Sequence, residues 1–166
     1  MIDGLGRLVH EIVLPHARDT VFDFFVDPHA LVRWIGISAD LDPRQDGRFR
    51  FEIEPGSFCE GTYTEVVRPG RVAFTWGWTD PAWKPGPGTS LVEVTLTEVP
   101  EGTHVRLVHS RLPPDARKSH DEGWPMFLQR LAEAAAGRDP GPYSTSRTQP
   151  ATSVPGAGDA STAGEP

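Results

Sequence analysis

Six histidines and five tryptophans are the side chains of this sequence best suited to hold another molecule or act on it. An imidazole can donate, accept or carry a proton near neutral pH. An indole offers a large apolar face with a single N–H. His109 alternates with Val105 and Leu107 along THVRLVHS, so it faces inward with them on a strand. A neutral imidazole there can orient a ligand hydroxyl or carboxylate. His120 precedes Trp124 by four residues and shares its face if one helix runs through both. Ser110 follows His109 directly, so the two point to opposite faces and cannot form a dyad. Cys59 has no basic neighbour in sequence to favour its thiolate, and reads as an inert strand residue. Glu60, Tyr63 and Glu65 lie on a strand whose facing is left open.

Metal and phosphate motifs fail on spacing. His10, Glu11 and His16 are not the two histidines four apart on one helix that hold catalytic zinc, and Pro15 intervenes. Asp40, Asp42 and Asp46-Gly47 resemble a calcium loop only in part: the glycine comes too late and the closing glutamate is absent. The glycines of KPGPGTS are broken by prolines and lead into a strand, not a helix. The expectation is no metal, no cofactor and no catalytic residue.

The tryptophans make a better case. Trp76 and Trp78 alternate with Val72 and Phe74, so all four share one strand face. Phe49 and Phe51 do the same from another strand. Trp34 follows a short helix, and Trp124 opens the last helix beside Leu128. Trp83 lies in the loop Asp80 to Thr89, stiffened by Pro81, Pro85 and Pro87, and is expected to close the mouth of a cavity. The expected ligand-binding set is therefore Trp34, Phe51, Trp76 and Trp78, with Trp83, His109, Trp124 and Leu128. A lining of this kind suits a mostly apolar guest held by few polar contacts.

The elements that must position these residues follow from periodicity. Leu8 to Leu14 is a β-rich run ended by Pro15. Ala17, Val21, Phe24 and Phe25 form a helical stripe. Asp27 ends that helix and caps a second one with Pro28 at its first position, running through Leu31, Val32 and Trp34. The period then changes to two. Strands are expected at Ile37–Leu41, Phe49–Ile53, Phe58–Val67, Val72–Trp78, Leu91–Val99 and Thr103–Ser110, with turns at Asp46-Gly47, Pro55-Gly56, Pro69-Gly70 and Glu101-Gly102. Arg48, Arg50, Glu52, Glu93 and Arg106 mark the outer, charged face. Trp124, Phe127, Leu128, Leu131 and Ala135 define the last helix, ended by Gly137. Pro125 within it predicts either a start near Asp121 or two pieces meeting at a kink between Gly123 and Pro125. An antiparallel sheet with one apolar face must cover it, and this helix is the only long amphipathic element available. The fold class is α+β.

Composition sets the limits. Hydrophobic residues are 37% of the chain, and the shortfall is concentrated after Gly137. Residues 1–137 read as one domain, and residues 138–166, rich in Pro, Gly, Ser and Thr, as a disordered tail that cannot offset its ordering entropy. The formal net charge of −7 falls mostly on the domain and provides no footprint for nucleic acid or an anionic membrane. One cysteine allows no internal disulfide, and no segment reads as a signal peptide or membrane span. A cytoplasmic location is expected. Only Lys84 and Lys118 are lysines among 16 basic residues, an arginine bias common in GC-rich bacteria.

The order β-α-α-β6-α resembles the helix-grip fold of the SRPBCC, or START-like, superfamily. The words HEIVLPHARDTVFDFFVDPHALVRWIG, RVAFTWGW, LVEVTLTEVPEGTHVRLVHS and HDEGWPMFLQRLAE are similar to one branch, the homologues of the activator of heat-shock protein 90 ATPase. The resemblance covers about Leu5 to Ala136. It implies a curved antiparallel sheet of about seven strands gripping the C-terminal helix, with a cavity between them, and binding of hydrophobic small molecules in many members. It transfers no catalytic residue. Binding of a hydrophobic small molecule is thus the first expectation. A cyclase- or aromatase-type enzyme acting on a polyketide-like substrate is the second, and would need a polar pair such as His109 with Glu65 or Tyr63. A chaperone-cofactor-like contact with a protein partner is the third. Oligomeric state is left open.

Overall fold

The computed structural model describes residues 1–142. Its elements are β1 (Leu8–Leu14), α1 (Arg18–Val26), α2 (Pro28–Leu31), β2 (Ser38–Leu41), β3 (Arg48–Glu54), β4 (Ser57–Val67), β5 (Arg71–Trp76), β6 (Ser90–Val99), β7 (Gly102–Ser110) and α3 (Pro114–Ala135). The strands form one curved antiparallel sheet in the order β1-β7-β6-β5-β4-β3-β2. The core lies between the concave face of this sheet and α3, with α1 packed against α2 and α3.

Period-two alternation decides which side chains face the helix. Phe49, Phe51 and Ile53 of β3 are buried, as are Val72, Phe74 and Trp76 of β5, Val92, Val94 and Leu96 of β6, and Val105, Leu107 and His109 of β7. The opposite face is laced with ion pairs: Arg71 bridges Glu65 and Glu93, Arg50 meets Glu60, and Arg106 approaches Glu11. Asp27 caps α2 by accepting from the His29 backbone N–H at 2.9 Å. The second helix is shorter than its sequence pattern: Val32 to Trp34 form turns beyond it, and Trp34 is held by its indole N–H on Phe24 O at 2.9 Å.

The last helix corrects both alternatives read from Pro125. It begins at Pro114, well before Asp121, and runs as one 22-residue element through the proline. Ala116, Gly123, Trp124, Phe127, Leu128, Leu131 and Ala134 form its buried stripe. Pro125 lies on the exposed side. Proline removes one backbone donor there, but a stripe continuous across the site outweighs that loss.

Two glycines let the chain double back beside the site. A Cβ on Gly77 would lie 1.6 Å from Gly86 O, and one on Gly61 would lie 1.9 Å from Thr75 O. The 77–89 loop can therefore fold against the end of β5 only while Gly77 carries no side chain. Residues 138–142, the first of the proposed tail, are described; the remainder of that tail lies outside the described residues. No described helix is long and apolar enough to cross a membrane.

Candidate functional site

Most of the expected set converges, from four elements and the loop after β5. β3 contributes Phe51, β5 and its extension contribute Trp76 and Trp78, β7 contributes His109, and α3 contributes Trp124 and Leu128. Trp83 reaches the same cluster from the loop. Trp76 is its centre, with ring centroids 5.1 Å from Trp124, 5.4 Å from Trp78, 5.5 Å from Phe51 and 5.6 Å from His109. Trp83 meets Trp78 edge-on at 5.2 Å. Trp34 is not part of this cluster; it pairs with Phe25 at 5.4 Å. Phe51, Trp76, Trp124, Leu128 and His109 are buried, while Trp78 and Trp83 are half-buried and form the outer end.

Where the sequence suggests a gap, the rings touch one another. Two clefts lie elsewhere, and none of the eight residues lines either. One, of about 540 Å³, follows the seam between the Trp83 loop and the start of α3, lined by residues 84–86, Thr89 and residues 111–113. The other, of about 720 Å³, lies at the far end of α3.

The polar atoms of the cluster settle both histidine tautomers. The Trp124 indole N–H donates to His109 Nδ1 at 3.1 Å. An indole nitrogen can only donate, so Nδ1 is the bare acceptor. The proton is then on Nε2, which donates to Ser90 Oγ at 2.8 Å, while the Ser90 hydroxyl donates to Trp76 O at 2.8 Å. The chain of donors and acceptors is complete. His109 gives a proton to Ser90 rather than taking one, so this is not an activated serine.

His120 has the opposite tautomer. Its Nε2 receives the indole N–H of Trp78 at 3.2 Å and of Trp76 at 3.4 Å, and Nδ1–H donates to Ala116 O at 2.9 Å. Two donors share one lone pair, and the Trp76 bond is the longer of the two. The cluster therefore has one more indole donor than it has good acceptors. Burial pushes the His109 pKa well below the usual histidine value, with nearby His120 adding to the effect. Burial also lowers that of His120, against the opposing bond to Ala116 O. Both imidazoles are neutral at pH 7.

The polar pair that would have favoured an enzyme does not form. Tyr63 is buried, but its hydroxyl donates to Phe25 O at 2.8 Å. Glu65 is on the outer face with Arg71 at 2.8 Å. Glu60 pairs there with Arg50 at 2.7 Å. Cys59 is fully buried, and desolvation raises its thiol pKa. Among the described residues no group of three or more His, Cys, Asp or Glu side chains is placed to hold a metal.

Sequence reasoning left out Ser90 and kept His120 out of the binding set. Signals for both exist. Ser90 has the same parity as Val92, Val94 and Leu96, the inward face of β6. His120 is four residues from both Ala116 and Trp124, on the buried stripe of α3.

The loop bearing Trp83 is lightly held to the helix. Lys84 Nζ meets Asp115 Oδ2 at 3.0 Å, with both side chains more than half exposed. An exposed pair of this kind contributes about 0–1 kcal/mol.

Comparison with known proteins agrees with this architecture. The family model for Activator of Hsp90 ATPase homolog 1-like protein matches residues 15–136. No curated protein matches the chain. The AHSA1-like protein RHE_CH02687 of Rhizobium etli is 37% identical, with a TM-score of 0.66, over 86% of this chain and 91% of that one. Protein MLL2253 of Mesorhizobium loti is 27% identical, with a TM-score of 0.70, over 80% and 98%. DynU16, from the dynemicin biosynthetic locus, shares the fold at 23% identity and a TM-score of 0.69; the match covers 80% of this chain and 48% of DynU16.

Proposed function

The chain belongs to the Activator of Hsp90 ATPase homolog 1-like family, and we propose that this member binds a small, planar, mostly apolar molecule carrying one neutral acceptor oxygen, without covalent chemistry. The observation that carries this reading is the doubly used lone pair of His120. Trp76 and Trp78 both direct an indole N–H at it, at 3.4 and 3.2 Å. A carbonyl oxygen has two lone pairs and can take the half-buried Trp78 donor, which leaves the His120 lone pair to Trp76 alone. The half-buried faces of Trp78 and Trp83 supply the apolar contact, and the buried remainder of the set, from Trp76 and Phe51 to His109 and Trp124, forms the wall behind them.

Entry requires Trp83 to swing away with its loop. The loop's ion pair to α3 is exposed, and a 540 Å³ cleft already runs along that seam. Opening breaks that exposed pair and the Trp78–Trp83 ring contact, while the Trp78 N–H bond to Pro85 O and the Gly88 N–H bond to Glu60 O hold the base of the loop on the sheet. Neutral histidines whose protons and lone pairs are all engaged have none to shuttle, which favours binding over the cyclase-type reading. The charges on the outer sheet face are paired with one another, which leaves less free charge for a chaperone-type contact there.

The test compares 1-tetralone with tetralin, which lacks only the carbonyl oxygen, by titration calorimetry on the full chain. Tetralone should bind at least about tenfold more tightly, the effect of one hydrogen bond near 1.4 kcal/mol. Trp83→Ala should weaken tetralone binding while sparing the melting temperature. Equal affinity for the two probes removes the acceptor-oxygen claim. Unchanged tetralone affinity in Trp83→Ala removes the site.

A further inference from the structure

The family match ends at residue 136, yet the six residues that follow make one wall of the larger cleft. Gly137 leaves the helix with φ at 82°. The Arg138 backbone N–H then donates to Glu133 O at 2.9 Å, and its guanidinium pairs with Glu133 at 2.6 Å. Arg130 fastens the rest. Its Nε donates to Trp34 O at 3.0 Å, and its terminal nitrogens donate to Gly141 O at 2.8 Å and Pro140 O at 3.4 Å. One guanidinium thus ties the extension to the turn after α2, and a cleft of about 720 Å³ remains between them. That volume lies within the range of small-molecule sites, about 300–1,000 Å³.

The lining combines a greasy floor with a cation. Val32, Ile37, Ile53 and Pro55 face the cleft. Ile37 is 55% exposed although its backbone N–H is fixed on Glu52 O at 2.8 Å, so an apolar side chain is held in water. Arg33 stands beside it. One of its terminal nitrogens donates to Ala134 O at 2.8 Å, and its guanidinium carbon lies 5.5 Å from the centre of the Phe24 ring. Among the described residues it meets no carboxylate, in a chain whose net charge is −7. Two acids also line the cleft. Asp139 is turned to the Gly141 backbone N–H at 2.8 Å. Glu54 lines the cleft beside Pro55.

We propose that this cleft is a second binding site, separate from the tryptophan cluster, for a small amphipathic anion whose acid group pairs with Arg33 and whose apolar body lies over Ile37 and Val32. Arginine suits this task because its planar fork matches an oxyanion and keeps its charge at every physiological pH. The wall formed by residues 137–142 places part of the site outside the matched domain.

The probe is 1-anilinonaphthalene-8-sulfonate, an aromatic body with one sulfonate, titrated into the full chain by fluorescence. The expected result is saturable enhancement. Arg33→Gln should raise Kd about tenfold, as loss of one charge-assisted contact does. Ile37→Glu should raise it at least as far. Arg44→Gln, an exposed arginine on the β2–β3 connection, should leave Kd unchanged, and excess 1-tetralone should not displace the dye. Both test residues are exposed, so melting temperatures should hold. Absence of saturable enhancement, wild-type affinity in Arg33→Gln, or displacement by 1-tetralone each overturns the proposal. Displacement would place the dye in the tryptophan cluster and leave that site's own reading standing.

Discussion

Replacing His109 with leucine should destabilise the fold by about 1–3 kcal/mol, and most of that cost should trace to one partner. His109 Nδ1 is the acceptor of the Trp124 indole N–H at 3.1 Å, and Trp124 is only 3% exposed. Leucine fills similar space but accepts nothing, so a buried donor is stranded at a cost of about 1–3 kcal/mol. Ser90 loses a donor as well, but its own hydroxyl still reaches Trp76 O, so its share is small. A double-mutant cycle separates the terms. Trp124→Phe removes the indole donor, and in that background His109→Leu should cost at least about 1 kcal/mol less than it does alone. Urea unfolding followed by far-UV circular dichroism supplies the four free energies without relying on the altered tryptophan. Costs that add to within about 0.3 kcal/mol would show that His109 is not the acceptor that Trp124 depends on, and the tautomer assignment would fall with it.

The remaining expectations concern pH, packing and the loop. His109, His120 and His10 are held below the ordinary histidine value, in each case by burial first. The unfolded chain therefore binds more protons than the folded one below about pH 6.5. Stability is full above that value and is lost as pH falls toward the folded-state values: the urea midpoint should drop between about pH 7.5 and 5.5, and less so in His120→Gln; a flat midpoint contradicts the neutral assignment. Gly77→Ala should cost about 1–3 kcal/mol or more, because its Cβ would overlap Gly86 O, and thermal melts that match wild type would show that the loop does not need this close approach. Leu131→Ala, at a position with no exposure, should cost about 2–5 kcal/mol by urea unfolding. Asp115→Ala should release the Lys84 contact and raise the association rate of 1-tetralone in stopped-flow fluorescence with less than about 1 kcal/mol lost in stability; an unchanged rate argues against the loop as the gate.

Much of the fold is legible because alternation and helical stripes report burial directly. Phe49, Phe51 and Ile53 show their strand and its inward face at once, and Trp124, Phe127, Leu128 and Leu131 show the helix. The continuity of α3 is not legible, because local reading weighs Pro125 as a breaker while the packing of Ala116 through Ala134 on one stripe is a tertiary fact. The candidate site is legible in its aromatic content, since Trp76 and Trp78 declare a shared face. The position of Trp34 at an element end groups it with them; only the turn after α2 decides that it joins Phe25 instead. The partners of His109 are harder to read. Ser90 and Trp124 come from sequence positions 19 and 15 residues away, brought together by strand pairing and helix docking that no local period encodes. The wall formed by residues 137–142 is harder still, because a stretch of Gly, Asp and Pro reads as tail until Arg130 supplies it with donors.

The most direct measurement is the set of five indole N–H resonances in a proton–nitrogen correlation spectrum, recorded while 1-tetralone is added. Four of the five report a bond, Trp34 on Phe24 O, Trp124 on His109, and Trp76 and Trp78 on His120, and Trp83 reports the loop. Saturable shifts concentrated at Trp78, Trp76 and Trp83, with Trp34 unmoved and tetralin producing far smaller changes, are the predicted result. Uniformly unperturbed resonances, or shifts that tetralin reproduces in full, would contradict the claim that this cluster holds a guest through its surplus donor.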